Sequence, residues 1–406
     1  LPCENLDVTI PPRGAPPQKV LCVVGARPNF MKIAPLMHAF RAHAPQVEVT
    51  LVHTGQHYDY AMNEAFFTQL GIPAPDVSLE VGSASHAVQT AEIMRRFEPV
   101  LDAQQPDVVL VVGDVNSTIA CALVAAKRGV KVVHVEAGLR SYDRTMPEEI
   151  NRVLTDQLCE RLYVTERDAI DNLAREGISP ERVLFVGNVM IDTLLQNLSQ
   201  AIPAAQTITD ACAHAGTPAH ADAFLHGAHG YAVLTLHRPS NVDEPVALAR
   251  LLETLTTISH DLPLVFPVHP RTAERIRASG HGSFLASPRV LALSPIGYFE
   301  MLGLNREARL VLTDSGGLQE ETTALGVPCL TLRENTERPI TLTEGTNELV
   351  GTDRGAILAA VAAILRDGGK RGRRPELWDG KAAERIVADL VGAAWQQQPV
   401  AAAAQA

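Results

Sequence analysis

Asp107-Val108-Val109-Leu110-Val111-Val112-Gly113-Asp114-Val115-Asn116-Ser117-Thr118 carries an unbroken apolar run into a glycine and then a polar cluster. A strand that is apolar at every position is buried on both faces, the situation in a parallel sheet covered by helices on each side. Similar β-branched runs flank it, at Lys19 to Val24, Val47 to His53, Lys131 to Val135, Arg161 to Thr165 and Val183 to Val186, with amphipathic stretches between them. This alternation predicts a doubly wound α/β domain. It pauses over Asn197 to Gly230, an Ala- and His-rich helical excursion, and resumes at Tyr231 to Leu236, Leu264 to Val268, Val290 to Leu293, Arg309 to Thr313 and Cys329 to Leu332. The expected fold class is α/β, with two Rossmann-like, doubly wound parallel-sheet domains facing a central cleft.

A chain of 406 residues exceeds the size at which one core stops growing. The expected division is a loose proline-rich arm over 1–18, a first domain over 19–187, a second over 188–375, a helix over 376–396 that packs back on the first domain, and a frayed tail over 397–406.

The formal charge of -11 argues against sequence-independent binding of nucleic acid, which needs clustered Lys and Arg. No apolar run approaches the roughly 18 to 20 residues of a membrane helix. The cysteines Cys3, Cys22, Cys121, Cys159, Cys212 and Cys329 are widely spaced without metal-ligand patterns, and read as reduced packing residues of a cytoplasmic protein. The histidines His214, His220, His226 and His229 have no consistent ligand spacing, so no metal is expected. Neither GxGxxG nor GxxxxGK[ST] occurs, so no nicotinamide or ATP site is implied by motif.

In open parallel sheets, ligands bind beyond the carboxyl ends of the strands. Gly25-Ala26-Arg27-Pro28-Asn29-Phe30-Met31-Lys32 follows the first strand, where Arg27 and Lys32 add charge to a helix N-terminus suited to a diphosphate. Arg27 alone could simply pair with a surface acid. Asp114 alone would read as a helix cap. It is joined by Glu136, at the end of the next strand, and by Glu148, at the start of the helix beginning Pro147-Glu148-Glu149-Ile150-Asn151-Arg152. Three carboxyl groups gathered at one crevice are costly unless they serve acid and base roles.

The second half contributes His237 in Thr235-Leu236-His237-Arg238-Pro239 and His269 in Pro267-Val268-His269-Pro270-Arg271. A lone histidine in such a place is more often structural, but here each stands beside an arginine. In Thr313-Asp314-Ser315-Gly316-Gly317-Leu318-Gln319-Glu320-Glu321, a strand turns through Ser315, Gly316 and Gly317 into a helix whose first amides suit a phosphate. Glu321, one turn on, is placed to accept from ribose hydroxyls.

Taken in order, GARPNFMKIAP, TGQHYDY, GDVNST, HVEAGLRS, PEEINR, GNVMIDTLL, TLHRPSN, FPVHPR, LTDSGGLQEE, LGVPCLTLRENTERP and TEGTNELVGT resemble the non-hydrolysing UDP-N-acetylglucosamine 2-epimerases, from about Val20 to Gly351. The resemblance implies a GT-B-like architecture and a homodimer. It also implies a UDP-N-acetylhexosamine substrate, with UDP as the bound leaving group and no cofactor. It puts catalytic roles on Asp114, Glu136, Glu148 and His237, and UDP or substrate binding on Arg27, Lys32, His269, Ser315, Gly316, Gly317, Glu321 and Arg338. Carbon 2 of such a sugar is not adjacent to a carbonyl, so its proton is too weakly acidic for simple removal and return. Elimination of UDP to 2-acetamidoglucal, then re-addition, is the economical route without a redox cofactor. Glu136 and Glu148 are expected to transfer protons, Asp114 to position or relay, and His237 to assist the leaving phosphate.

The sequence departs from the family pattern at several positions. Ala26 and Asn29 stand where many members have Thr and Glu, Met301 where some place an aromatic on uracil, and Ile340 where Glu is common. Tyr58 and Asp59 replace an Arg-Glu pair near a site of activation by substrate. A related UDP-linked acetamido sugar or uronic acid remains an alternative substrate. A GT-B glycosyltransferase and a non-catalytic nucleotide-sugar sensor are the rival functions.

Overall fold

The computed structural model describes residues 17–43, 46–55 and 67–392. Tyr58 and Asp59, the tail beyond residue 392 and all but the last two residues of the expected N-terminal arm lie outside them. The chain divides into two compact units, one running to Thr193 and resuming at Glu376, the other Leu194–Pro375.

The first unit holds a seven-stranded sheet in the order β3-β2-β1-β4-β5-β6-β7, built from β1 (Gln18–Val24), β2 (Val47–His53), β3 (Val77–Ser78), β4 (Val108–Val112), β5 (Lys131–Ala137), β6 (Arg161–Val164) and β7 (Val183–Phe185). Every pairing is parallel. The second holds a six-stranded sheet in the order β10-β9-β8-β11-β12-β13, from β8 (Ala232–Thr235), β9 (Leu264–Pro267), β10 (Val290–Leu293), β11 (Leu310–Thr313), β12 (Cys329–Thr331) and β13 (Asn347–Leu349). It too is entirely parallel. The architecture is GT-B-like.

All five residues of β4 are buried. Leu21, Val109, Val111 and Val132 share one core with Ile93 and Phe97 of the helix His86–Gln104. Each such side chain contributes roughly 1.5 to 3 kcal/mol on burial. Between Asn197 and Gly230 the chain forms the helices Ala204–His214 and Ala221–Leu225, whose Ile208, Cys212 and Phe224 cover Val233, Val265 and Val311 of the second sheet. The strands β3 and β13 were not anticipated. They are two- and three-residue edge strands, too short to show a period.

The helix Ala382–Val391 belongs to the first unit. Asp192 accepts from the amides of Ala382 and Ala383 at 3.2 and 2.7 Å, and Asp389 accepts from Arg161 and Tyr163. The Trp378 indole donates to the Thr165 carbonyl at 3.1 Å. Among the described residues no helix is long and apolar enough to cross a membrane.

Candidate active site

Each sheet reverses its strand order at one point, between β1 and β4 in the first unit and between β8 and β11 in the second. Loops leaving neighbouring strands there run in opposite directions and open a crevice. The clusters after β1 and β4 sit at the first of these points and those of His237 and Asp314 at the second, while Glu136 ends the next strand, β5, and His269 follows β9.

In the first unit the helix Arg27–Ala42 starts two residues after β1. Arg27 is its first residue, and Asn29 locks the turn. The Asn29 carbonyl accepts from the Gly25 and Ala26 amides, and its amide donates to the Val112 carbonyl at 3.0 Å. An amide can do both, which a carboxylate cannot, so the departure to Asn at this position joins β1 to β4.

Lys32 projects from the same helix and lies 2.7 Å from Glu136, both side chains being almost fully buried. Gly113, at φ +66°, makes room for it: a Cβ there would stand 2.6 Å from Lys32 Nζ. Glu136 has φ +72° and is the extra residue of a bulge where the β5–β6 register shifts between Val135 and Ala137. A left-handed non-glycine residue costs on the order of 1–3 kcal/mol and persists only where its surroundings impose it. Lys32, read from the sequence as a diphosphate ligand, is thus also the partner of an acid.

Arg152 binds Asp114 through one amino group and Glu149 through the other. Glu149 also accepts from the Ser141 and Tyr142 amides, both at 2.9 Å, which holds the loop between β5 and the helix Pro147–Leu158. Glu148, in the first turn of that helix, is half-buried, and its side chain has no hydrogen bond or ion pair among the described residues. Of the adjacent pair, Glu149 is consumed by structure and Glu148 is available.

In the second unit Asp314, fully buried, accepts from the backbone amides of His237 and Arg238 and from the Asn241 side chain at 2.9 to 3.1 Å. It also lies 2.8 Å from His237 Nδ1, on a ring half exposed. Burial works to raise the Asp314 carboxyl, but the hydrogen bond and charge of His237 and the two amides outweigh it and hold the group below the usual range. A carboxylate can only accept, so Nδ1 carries the proton and Nε2 is left for a ligand. The sequence alone assigns Asp314 no role. Its partnership with His237 depends on β8 and β11 being neighbours.

Ser315 occupies the N-cap position of the helix Gly316–Leu325 without a side-chain cap hydrogen bond, and a Cβ on Gly316 would stand 2.6 Å from Glu337 and 2.7 Å from Arg338. Arg338 is buried between Glu320 at 2.9 Å and Glu337 at 2.7 Å, and Arg333 takes the other Glu337 oxygen. Burial, then the adjacent Glu320 charge, push Glu321 up to about 8. Tyr298 is buried in the field of Glu321, whereas Met301 is partly buried and packs against the core, and Ile340 is buried. His269 is exposed at the N-terminus of the helix Pro270–Ala278, its Nδ1 accepting from the Arg271 amide at 3.3 Å. Ser315, Gly316, Gly317, Glu321 and Arg338 therefore form one group, with His237 at the neighbouring strand end.

Two Rossmann-type units, one presenting carboxylates and the other a glycine turn with arginines at the order reversal, define a nucleotide-binding enzyme of GT-B-like build. Comparison with known proteins gives its family. The sequence model of the UDP-N-acetylglucosamine 2-epimerases matches residues 39–391. The UDP-N-acetylglucosamine 2-epimerase of Methanocaldococcus jannaschii is 40% identical over 91% of this chain and 98% of its own. The UDP-2,3-diacetamido-2,3-dideoxy-D-glucuronate 2-epimerase of Pseudomonas aeruginosa is also 40% identical, over 86% and 92%. The crystal structure of the Methanocaldococcus jannaschii UDP-GlcNAc 2-epimerase with UDP-GlcNAc and UDP superposes with a TM-score of 0.80 at 39% identity, covering 92% of this chain and 99% of that one. The chain belongs to the UDP-N-acetylglucosamine 2-epimerase family and is an isomerase.

Proposed function

We propose that the protein interconverts UDP-N-acetylglucosamine and UDP-N-acetylmannosamine by elimination and re-addition of UDP. One carboxylate takes the C2 proton while the C1–oxygen bond breaks, its electron pair leaving on the β-phosphate and the C2–H pair forming the C1–C2 double bond of 2-acetamidoglucal. UDP oxygen then adds back to C1, and a second acid delivers a proton to the opposite face of C2. No electrons are gained or lost overall. Glu136 and Glu148 are the proton-transfer groups, Asp114 a positioning or relay group, and His237 the donor to the departing phosphate. Arg27, Lys32, His269, Ser315, Gly316, Gly317, Glu321 and Arg338 serve UDP and substrate.

The observation that carries this reading is the pair of unlike acids in the first unit. Glu136 is held against Lys32 in a left-handed bulge, while Glu148 is half-buried and has no side-chain partner among the described residues. Two carboxyl groups in such different settings are suited to opposite halves of a proton exchange.

A UDP-linked diacetamido uronic acid is the second reading, supported by the equal identity to the Pseudomonas aeruginosa enzyme. Cytoplasmic residence is supported by five free, buried cysteines among the described residues. A homodimer is proposed on the family resemblance. The test is incubation with each UDP-sugar in D2O without an acceptor. Formation of the 2-epimer carrying deuterium at C2 is expected. Epimer without C2 deuterium overturns the elimination route, and substrate loss without epimer points to hydrolysis or transfer.

A further inference from the structure

We infer that Gln319 is a positioning residue for the diphosphate end of the site, acting with Asn347 through the hydroxyls of Thr336 and Thr341 to set Arg338 against the turn Ser315-Gly316. The inference rests on the proposed roles of Ser315, Gly316 and Arg338 in holding UDP.

Gln319 and Asn347 are completely buried, one in the helix Gly316–Leu325 and the other at the start of β13. A buried amide is costly unless its polar atoms find partners, and an apolar side chain would fill either place without that demand. All four polar atoms have partners here. Gln319 Nε2 donates to the Ser315 carbonyl at 3.2 Å, while its Oε1 accepts from Thr336 Oγ1 at 2.7 Å and from Asn347 Nδ2 at 3.1 Å. The second proton of Asn347 Nδ2 goes to Thr341 Oγ1 at 3.1 Å, and Oδ1 accepts from Thr331 Oγ1 at 2.7 Å.

The two threonines at 336 and 341 carry this pair to Arg338. Thr336 Oγ1 accepts from the Arg338 amide at 3.1 Å, and Thr341 Oγ1 donates to the Arg338 carbonyl at 2.8 Å. A hydroxyl has one proton, so the direction of every bond is set: Thr336 gives its proton to Gln319, and Thr341 gives its own to Arg338 while accepting from Asn347. Both backbone polar groups of Arg338 are therefore held by hydroxyls that the amide pair itself holds. Ion pairs to Glu320 and Glu337 grip the guanidinium, but they fix neither end of its peptide. Gln319 also holds the Ser315 carbonyl, so one side chain sets the turn and the arginine relative to each other. There is little slack between them, since a Cβ on Gly316 would already stand 2.7 Å from Arg338 Nη1. The task needs a donor and an acceptor on one side chain, which an ionised Glu or a Met does not offer.

The test is a double-mutant cycle on UDP binding, measured by calorimetry on the full chain, between Thr336→Val and Arg338→Ala. Thr336→Val keeps the shape of the side chain and removes the hydroxyl. It should weaken UDP binding about 2 to 10-fold, the value of one hydrogen bond, while uridine, followed by competition against UDP, binds as to wild type. Thr336→Ser, which keeps the hydroxyl, should retain wild-type affinity. In the Arg338→Ala background Thr336→Val should weaken UDP little further, because residues of one network do not act additively. Gln319→Met should show the same loss and the same coupling. Thr336 is only half-buried, so its variants probe the network even if Gln319→Met does not fold. Wild-type UDP affinity in Thr336→Val or in folded Gln319→Met, equal losses for UDP and uridine, or full additivity with Arg338→Ala overturns the positioning role and leaves the UDP site standing. Wild-type UDP affinity in Arg338→Ala refutes the proposed site, and this inference with it.

Discussion

His237 Nδ1 lies 2.8 Å from Asp314, a carboxylate buried in the second unit and already bound to the amide of His237 itself. The acid thus fixes both the backbone and the ring of the same residue, so the direction of Nε2 is set before any ligand arrives. Such prior orientation is what makes a donor effective toward developing charge.

Asp314→Asn should therefore lower kcat about 10 to 100-fold with a smaller change in UDP affinity, since Asn cannot keep both oxygens as acceptors for the four donors, the His237 and Arg238 amides, the Asn241 side chain and His237 Nδ1. It should also lower the melting temperature, because an unpaired buried donor costs about 1 to 3 kcal/mol. Steady-state kinetics and thermal unfolding check both. Wild-type kcat would refute the orienting role.

Glu321 sets a pH dependence of known sign. Its folded value is raised from 4.5 to about 8, so between these the folded chain holds a proton the unfolded chain has lost. Its contribution to stability is complete below the lower value and is lost as pH rises through the upper one. Relative to wild type, Glu321→Gln should gain stability across that window in denaturant titrations. If UDP ribose hydroxyls donate to the ionised carboxylate, UDP affinity of the wild type should rise with pH to about 8 and then level. In Glu321→Gln the rise should disappear, and a stability difference independent of pH would contradict the shift.

Gly113→Ala should separate binding from turnover. The φ of +66° disfavours any Cβ, and this one would stand 2.6 Å from Lys32 Nζ. A left-handed alanine costs roughly 1 to 2 kcal/mol. Displacing Lys32 from Glu136 should cut kcat strongly while leaving UDP affinity, measured by calorimetry, less affected. Full activity would show that the Lys32–Glu136 distance is not critical.

Glu136→Gln and Glu148→Gln should each abolish epimerisation and retain UDP binding. Deuterium uptake at C2 in D2O reports each half of the exchange separately. Normal turnover in either variant removes that residue from proton transfer.

Arg338→Ala should weaken UDP binding on the order of 10 to 100-fold, the value of a charge-assisted phosphate contact. It should also destabilise the second unit, because Glu320 and Glu337 lose their shared cation. Breaking a buried pair costs about 3 to 5 kcal/mol. Unchanged UDP affinity in a titration of the folded variant would exclude the contact.

The sequence by itself determined the strands with enough length to show a pattern, the parallel sheet implied by Val108–Val112 and the placing of polar clusters at strand ends. These are local signals, carried by side-chain periodicity and by turn residues. Tertiary structure alone decided the pairings. His237 meets Asp314 across 77 residues of chain, Arg152 meets Asp114 across 38, and His134 meets Asp156 across 22, because strand order sets which loops adjoin. It also decided that Glu149 is spent on the loop while Glu148 stays free, a distinction between adjacent identical residues that rests on the helix face each occupies. The left-handed backbone of Glu136 is the clearest case. Nothing in its own residue type favours that conformation, which comes with the bulge against β6 and the lysine beside it.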